Sequence, residues 1–238
     1  MKADIIVFTD GSSRGNPGQG GWGSVVFFQN KDVPHVCELG GRDGHTTNNR
    51  MELTAAHKAL EYIYGNISKE PVSVQVYTDS KYLIQGITTW VFGWKKNNWM
   101  TSQKTAVENR DLWEGLLSLT HGKNITWNHV DGHAGVPGNE RCDVIATSFA
   151  DEEPVSLYDG EASSYSVDLT VVSGVSGGGV KKKKSAQAYS YVSLVDGVYK
   201  THATWASCEK EVKGKKGARF KKAVSAEDEK NIQKEWGI

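Results

Sequence analysis

The chain has 238 residues and a mass of 26.1 kDa, enough for one domain of about 150 residues and a smaller one. Its formal charge is zero, but the balance is uneven: residues 1–150 carry 14 Lys and Arg against 15 Asp and Glu, residues 151–180 carry 0 against 6, and residues 181–238 carry 14 against 7, so the last segment suits an anionic partner. No apolar run has the length of a membrane span, MKADIIVFTD meets an acid too soon for a signal peptide, and Cys37, Cys142 and Cys208 lack the spacing of a disulfide framework or zinc site, which gives the expectation of a reducing cytoplasm.

In chain order, residues 1–150 read as β, β, β, α, β, α, β, α. Strands are predicted near 4–10, 21–29, 33–39, 72–79 and 124–130, and helices near 48–64, 107–120 and 138–150. GSSRGNPGQG at 11–20 reads as a turn-rich loop. MELTAAHKALEYI places Met51, Leu53, Ala56, Leu60 and Ile63 at roughly helical spacing, with Thr46, Thr47 or Asn48 as its cap. Pro137 suits the start of the last helix. Residues 153–188 read as a flexible linker, acidic and then Gly-rich, ending in the basic run Lys181 to Lys184. From 189, two short strands flank a turn at Asp196 and Gly197, followed by a helix, a short strand at GARFKKAV and a helix capped by Ser225.

Four acids stand in distinctive settings. Asp10 ends IIVFTD, Asp79 ends VSVQVYTD, Glu52 lies in TTNNRMEL and Asp143 follows GHAGVPGNERCD. If the two strands are neighbours, Asp10 and Asp79 fall at one edge of the sheet, where ligands bind in open α/β sheets. Any one acid alone is most simply a solvated surface group, and four together repel unless a cation joins them. Hard divalent ions such as Mg²⁺ take oxygen ligands, and two of them about 4 Å apart bind the attacking and leaving oxygens of a phosphoryl displacement. Phosphodiester hydrolysis is therefore the candidate reaction, with His133 in its Gly-rich loop as a group that moves a proton.

FTDGSSRGNPGQGGWG, TTNNRMELTAAHKAL, TDSKYLIQGI, WKKNNW and GHAGVPGNERCD together resemble type 1 ribonuclease H of the bacterial kind, over roughly residues 4–150. The resemblance implies an α/β fold of the ribonuclease H-like type, a five-stranded mixed sheet flanked by helices, in a catalytic domain at 1–152. It further implies endonucleolytic hydrolysis of the RNA strand of RNA/DNA hybrids to 5′-phosphate and 3′-hydroxyl ends. By matching position, Asp10, Glu52, Asp79 and Asp143 are the ligands of two Mg²⁺ ions, with Mn²⁺ as a substitute, and His133 is the mobile proton-transfer residue. Asn16, Asn48 and Asn49 sense RNA 2′-hydroxyls. Thr47 and Asn109 grip a DNA phosphate, Trp90 and Trp94 face the DNA backbone, and Lys95 and Lys96 supply charge. Lys81 stands where the family has Gln, replacing a strand-sensing amide by a phosphate-seeking charge. Trp99 and Trp113 suit core packing at least as well as contact.

TWASCEKEVKGKKGARFKKAVSAEDEKNIQKEW resembles the small hybrid-binding or viroplasmin-like domain, which implies an α+β nucleic-acid-binding domain at 189–238. By that resemblance Trp205 stacks on the nucleic-acid backbone and Lys221 and Lys222 reach phosphates, with Tyr189 or Tyr191 completing the surface. The implied partners are RNA/DNA hybrid and, through the tail, double-stranded RNA. No membrane or obligate protein partner is expected, and the protein is expected to be a monomer. Two other readings compete: a duplex-binding protein with a nuclease core as scaffold, and another nuclease or transposase on the same fold.

Overall fold

The computed structural model describes residues 4–31, 33–67, 72–132, 135–171, 176–177, 189–195, 197–215, 217–223 and 225–237. The chain divides into two compact units, Met1–Gly178 and Gly179–Ile238.

The first unit is built on β1 (Ile5–Gly15), β2 (Gly18–Asn30), β3 (Val33–Thr46), β4 (Ser73–Thr78) and β5 (Asn124–His129). These lie in the order β3-β2-β1-β4-β5, antiparallel from β3 to β1 and parallel from β1 to β5, which is the expected five-stranded mixed sheet. Two short strands extend its edges: β6 (Asp159–Glu161) on β3 and β7 (Ser176–Gly177) on β5. Because successive strand residues point to opposite faces, runs such as IIVF bury both sides. Val7, Val26 and Val76 face one core with α1 (Asn48–Tyr62) and its Leu53 and Leu60. Phe8, Val25 and Tyr77 face the other, with Cys142 and Ile145 of α5 (Pro137–Ala150).

The predicted loop at 11–20 is mostly strand. Ser12 pairs with Gly21 and Arg14 with Gln19, so only the tip at Asn16 and Pro17 turns. A ladder joins backbone groups, so a Gly- and Ser-rich sequence can still zip up. The chain from 81 to 96 is also helical, which the sequence reading did not foresee: α2 (Lys81–Gln85), a π-helical turn (Gly86–Trp90) and α3 (Val91–Lys96) follow one another. Ser80 caps this stretch by accepting from the Leu83 N–H at 3.0 Å. α4 (Arg110–Thr120) packs Trp113 and Leu116 into the same core as α1. Trp113 and Trp99 are buried, the core-packing role.

Part of the segment expected to be a linker is laid against the first unit. β6 pairs with β3, and Val155, Tyr158, Tyr165, Val167 and Leu169 join the α5 core. Lys181 to Lys184 lie outside the described residues.

The second unit is a three-stranded antiparallel sheet, in the order β10-β8-β9, of β8 (Ser190–Val195), β9 (Val198–His202) and β10 (Arg219–Ala223), with α6 (Trp205–Val212) and α7 (Ala226–Trp236). Of the predicted turn, Gly197 is described, with φ of 79°, and Asp196 lies outside the described residues. Ser225 caps α7 by accepting from the Asp228 N–H at 3.1 Å. Val192, Ala223 and Ile232 form one small core, and Val195, Cys208 and Val212 another.

Candidate active site

β1 and β4 are parallel neighbours in the register Phe8 to Tyr77, so Asp10 and Asp79, each two residues further on, stand level at the carboxyl end of the sheet. Gly11 brings the third acid to them. A Cβ on Gly11 would lie 2.2 Å from the Glu52 nitrogen and 2.4 Å from the Met51 carbonyl carbon, so only a bare α-carbon lets α1 approach the end of β1 this closely. Gly23, paired with Asp10 on β2, does the same for α5: a Cβ there would lie 2.5 Å from the Cys142 carbonyl oxygen, one residue before Asp143. Gly11→Ala is expected to destabilise the protein by about 1–3 kcal/mol, as overpacking does, and to push Glu52 off Asp10, which would weaken any cleavage that depends on the four acids. Thermal unfolding and cleavage rate read the two effects separately.

Asp10 is 8% exposed and accepts the Gly11 N–H at 2.7 Å. Burial, followed by the charge of Asp79, pushes its carboxyl up to about 8, with Asp143 and Glu52 adding to the rise and only the Gly11 N–H opposing it. Glu52 is likewise raised, first by burial and then by Asp79, against the hydrogen bonds it accepts from the Ser80 hydroxyl and, at 2.8 Å, from the Asn48 amide. Asp143 accepts the Thr147 hydroxyl at 3.3 Å. The loop bearing His133 starts against this group, because a Cβ on Gly132 would lie 2.8 Å from Asp79 Oδ2. His133 itself lies outside the described residues.

All four acids thus share one electrostatic field. Among the described residues, no three His, Cys, Asp or Glu side chains are drawn together closely enough to hold an ion as they stand. Burial among like charges disfavours the ionised form of Asp10 and favours a cation beside it. An all-oxygen set of four carboxylates suits a hard divalent ion that retains water and substrate oxygens as further ligands.

Other predicted residues lie on the same unit. Thr47 caps α1, accepting from the Arg50 N–H at 3.3 Å, and Asn109 precedes α4 in a left-handed conformation, its amide 3.3 Å from the Tyr82 hydroxyl. Arg50 and Asp111 join the starts of these two helices through bonds of 2.9 and 2.5 Å. Asn16 is at the β1–β2 tip, Asn49 is in the first turn of α1, and Lys81 is exposed at the start of α2. Trp90 and Trp94 are half-buried, 5.7 Å apart, and Trp94 packs 5.7 Å from Trp113; Lys95 and Lys96 are exposed beside them.

In the second unit, Trp205 lies 5.7 Å from Tyr191 and 5.3 Å from Phe220, so Tyr191 rather than Tyr189 joins it. Trp205 and Phe220 are 40% and 52% exposed. Sequence reading missed Phe220, although it alternates with Lys222 along the same strand. Lys222 pairs with Tyr191 and Phe220 with Ser193, which puts both on the face of Tyr191, while Lys221 turns the other way and pairs with Glu235 at 2.8 Å.

Comparison with known proteins agrees with the first unit. LC9-RNase H1, a type 1 RNase H of known structure, superposes with a TM-score of 0.57 at 30% identity, covering 67% of this chain and 78% of its own. Ribonuclease H of Mesorhizobium japonicum is 47% identical over 146 residues, 61% of this chain and 77% of that protein. Ribonuclease H of Dechloromonas aromatica is 46% identical over 148 residues, 62% of this chain and 94% of that protein. With the RNase H family model matching residues 2–151, the span that carries all four acids and the sheet that gathers them, the chain belongs to the ribonuclease H family.

Proposed function

We propose that this protein is an endonuclease that hydrolyses the RNA strand of RNA/DNA hybrids, leaving 5′-phosphate and 3′-hydroxyl ends, and that its second unit binds the duplex. The observation that carries the first part is the placement of Asp10 and Asp79 level at the carboxyl end of the sheet, with Glu52 and the helix of Asp143 brought against them at Gly11 and Gly23, in a chain of the ribonuclease H family. Asp10, Glu52, Asp79 and Asp143 would hold two Mg²⁺ ions, or Mn²⁺ in their place. When bound, such ions supply positive charge to the attacking and leaving oxygens of an in-line displacement.

The chain's own groups do the rest. The Asn48 amide nitrogen is spent on Glu52, which leaves its carbonyl oxygen to accept a 2′-hydroxyl and ties strand sensing to the acidic group. Asn16 and Asn49 extend that sensing. Thr47 and Asn109, at helix starts joined by Arg50 and Asp111, receive a DNA phosphate. Trp90 and Trp94 offer ring faces to the DNA backbone beside Lys95 and Lys96, and the exposed Lys81, two residues beyond Asp79, adds charge. His133 moves a proton to or from water or the leaving oxygen.

Labelled RNA/DNA hybrid, double-stranded RNA and double-stranded DNA, each incubated with Mg²⁺ or chelator, test the reading. Metal-dependent cutting confined to the RNA strand of the hybrid is expected. Duplex binding without cleavage in any divalent ion would sink it and leave a binding protein on a nuclease fold.

For the second unit, exposed Trp205 and Phe220 beside Tyr191 provide a stacking surface with Lys222 on the same face, while Lys221, on the opposite face, reaches a phosphate only by leaving Glu235. Tethering such a surface to the nuclease raises the local concentration of substrate. Trp205→Ala is expected to weaken hybrid binding by about 1–3 kcal/mol, the scale of one stacking contact. Fluorescence anisotropy at several salt concentrations checks this, and the cleavage rate at saturating substrate should stay at the wild-type value.

A further inference from the structure

The chain beyond α5 returns over the core that α5 covers and holds that helix beside the fourth acid. Glu38, on β3, has a fully buried side chain. Its carboxylate accepts two guanidinium hydrogen bonds from Arg141 at 2.7 and 2.8 Å, the Tyr165 hydroxyl at 2.6 Å and the Tyr158 N–H at 2.9 Å. The Glu38 N–H donates to the Tyr158 carbonyl at 2.7 Å, and Arg141 donates to the Ser156 carbonyl at 3.1 Å. A buried ion pair is retained only when its remaining hydrogen-bonding capacity is met, and here the returning segment meets it. Without that segment, Glu38 and Arg141 would face each other with several of their bonds unmade.

Apolar packing follows the same path. The rings of Tyr158 and Tyr165 meet at a tilt with centroids 5.0 Å apart, and together with Val167 and Leu169 they pack against the core that holds Phe8, Cys142 and Ile145. The Val155 N–H donates to Ser148 Oγ on α5 at 3.2 Å. Arg141 and Cys142, the two residues gripped from this side, directly precede Asp143, so the rotation and depth of α5 at the acidic edge are fixed from outside the edge itself.

We infer that residues 153–171 form a clasp whose Glu38–Arg141–Tyr165 network positions Asp143 and thereby sets the affinity of the acidic edge for its divalent ion. The inference rests on the proposed metal-dependent activity. Glu38, Arg141 and Tyr165 are positioning residues that act through α5.

The test uses the full chain and three variants: Tyr165→Phe, which removes one hydroxyl; Glu38→Gln, which removes the buried charge; and Leu116→Ala, which damages the opposite core. Mg²⁺ binding is measured by calorimetry without substrate, beside the Mg²⁺ dependence of hybrid cleavage and thermal unfolding. Tyr165→Phe is expected to raise the Mg²⁺ concentration for half-saturation by about threefold to tenfold, at or below the low end for outer-shell partners of a metal site, with KM for hybrid unchanged and kcat largely recovered at excess Mg²⁺. Leu116→Ala is expected to lower Tm without moving the Mg²⁺ midpoint. A Mg²⁺ midpoint unmoved in Tyr165→Phe and Glu38→Gln, or moved equally in Leu116→Ala, overturns the clasp. Wild-type protein that neither binds Mg²⁺ nor cuts hybrid overturns the functional reading on which it rests, a result distinct from an unmoved midpoint in an active enzyme.

Discussion

Asp79→Asn is expected to leave a folded protein that still binds hybrid but cuts it at least roughly a thousandfold more slowly, the scale on which mutually dependent catalytic groups fail when one is removed. The substitution keeps the shape of the side chain and deletes only its charge. Asp79 stands level with Asp10 on the neighbouring strand and is the largest charge acting on it, so the same change lowers the cost of ionising Asp10. Loss of activity should therefore come with unchanged or increased thermal stability near neutral pH. Single-turnover cleavage in saturating Mg²⁺, together with thermal unfolding in chelator, measures both. Cleavage within tenfold of wild type would remove Asp79 from the catalytic set, whereas equal losses of activity and stability would mark it as structural.

That coupling was legible before the fold was. Asp10 and Asp79 each end an apolar run, and two parallel strands ending in acids place them together whatever surrounds them. Glu52 and Asp143 required more, since their approach depends on Gly11 and Gly23, whose lack of a side chain matters only once a particular helix is known to cross there. The helical stretch at 81–96 was hidden for a related reason. Leu83, Ile87 and Val91 are buried at helical spacing, but Gly86 reads as a breaker until Trp113 is seen filling the space where its Cβ would be, at 2.1 Å. The returning segment after α5 was least legible. Its acidic and Ser-rich composition suggests solvation, and what holds it includes a short strand on β3, scattered apolar residues and a pair of tyrosines meeting a glutamate more than a hundred residues earlier.

In chelator, the wild-type protein is expected to lose stability as pH rises from about 4 to about 8, and Asp10→Asn is expected to lose less. The sign follows from which state holds the proton. The Asp10 carboxyl is lifted from its ordinary 3.8 to about 8 in the folded protein, chiefly by burial and then by Asp79. Between those values the folded chain keeps a proton that the unfolded chain has released, so each pH unit upward removes up to about 1.4 kcal/mol. The stabilisation is complete below 3.8 and gone above about 8. Glu52 adds a decline of the same sign, which is why the asparagine variant flattens the curve without levelling it. Glu38 works oppositely at the acid end. Burial alone would raise it, but Arg141, Tyr165 and the Tyr158 N–H hold it below its ordinary 4.5, so its stabilisation is lost as pH falls through that lower range. Together the two effects give a stability maximum on the acid side of neutrality. Mg²⁺ should erase the decline above it, because an ion bound only by the folded state adds stability and competes with the Asp10 proton. Scanning calorimetry from pH 4 to pH 9, with chelator or Mg²⁺, distinguishes the curves. Parallel profiles for wild type and Asp10→Asn in chelator would mean that Asp10 is ionised in the folded protein, and that the acids are too well solvated to need an ion to hold them together.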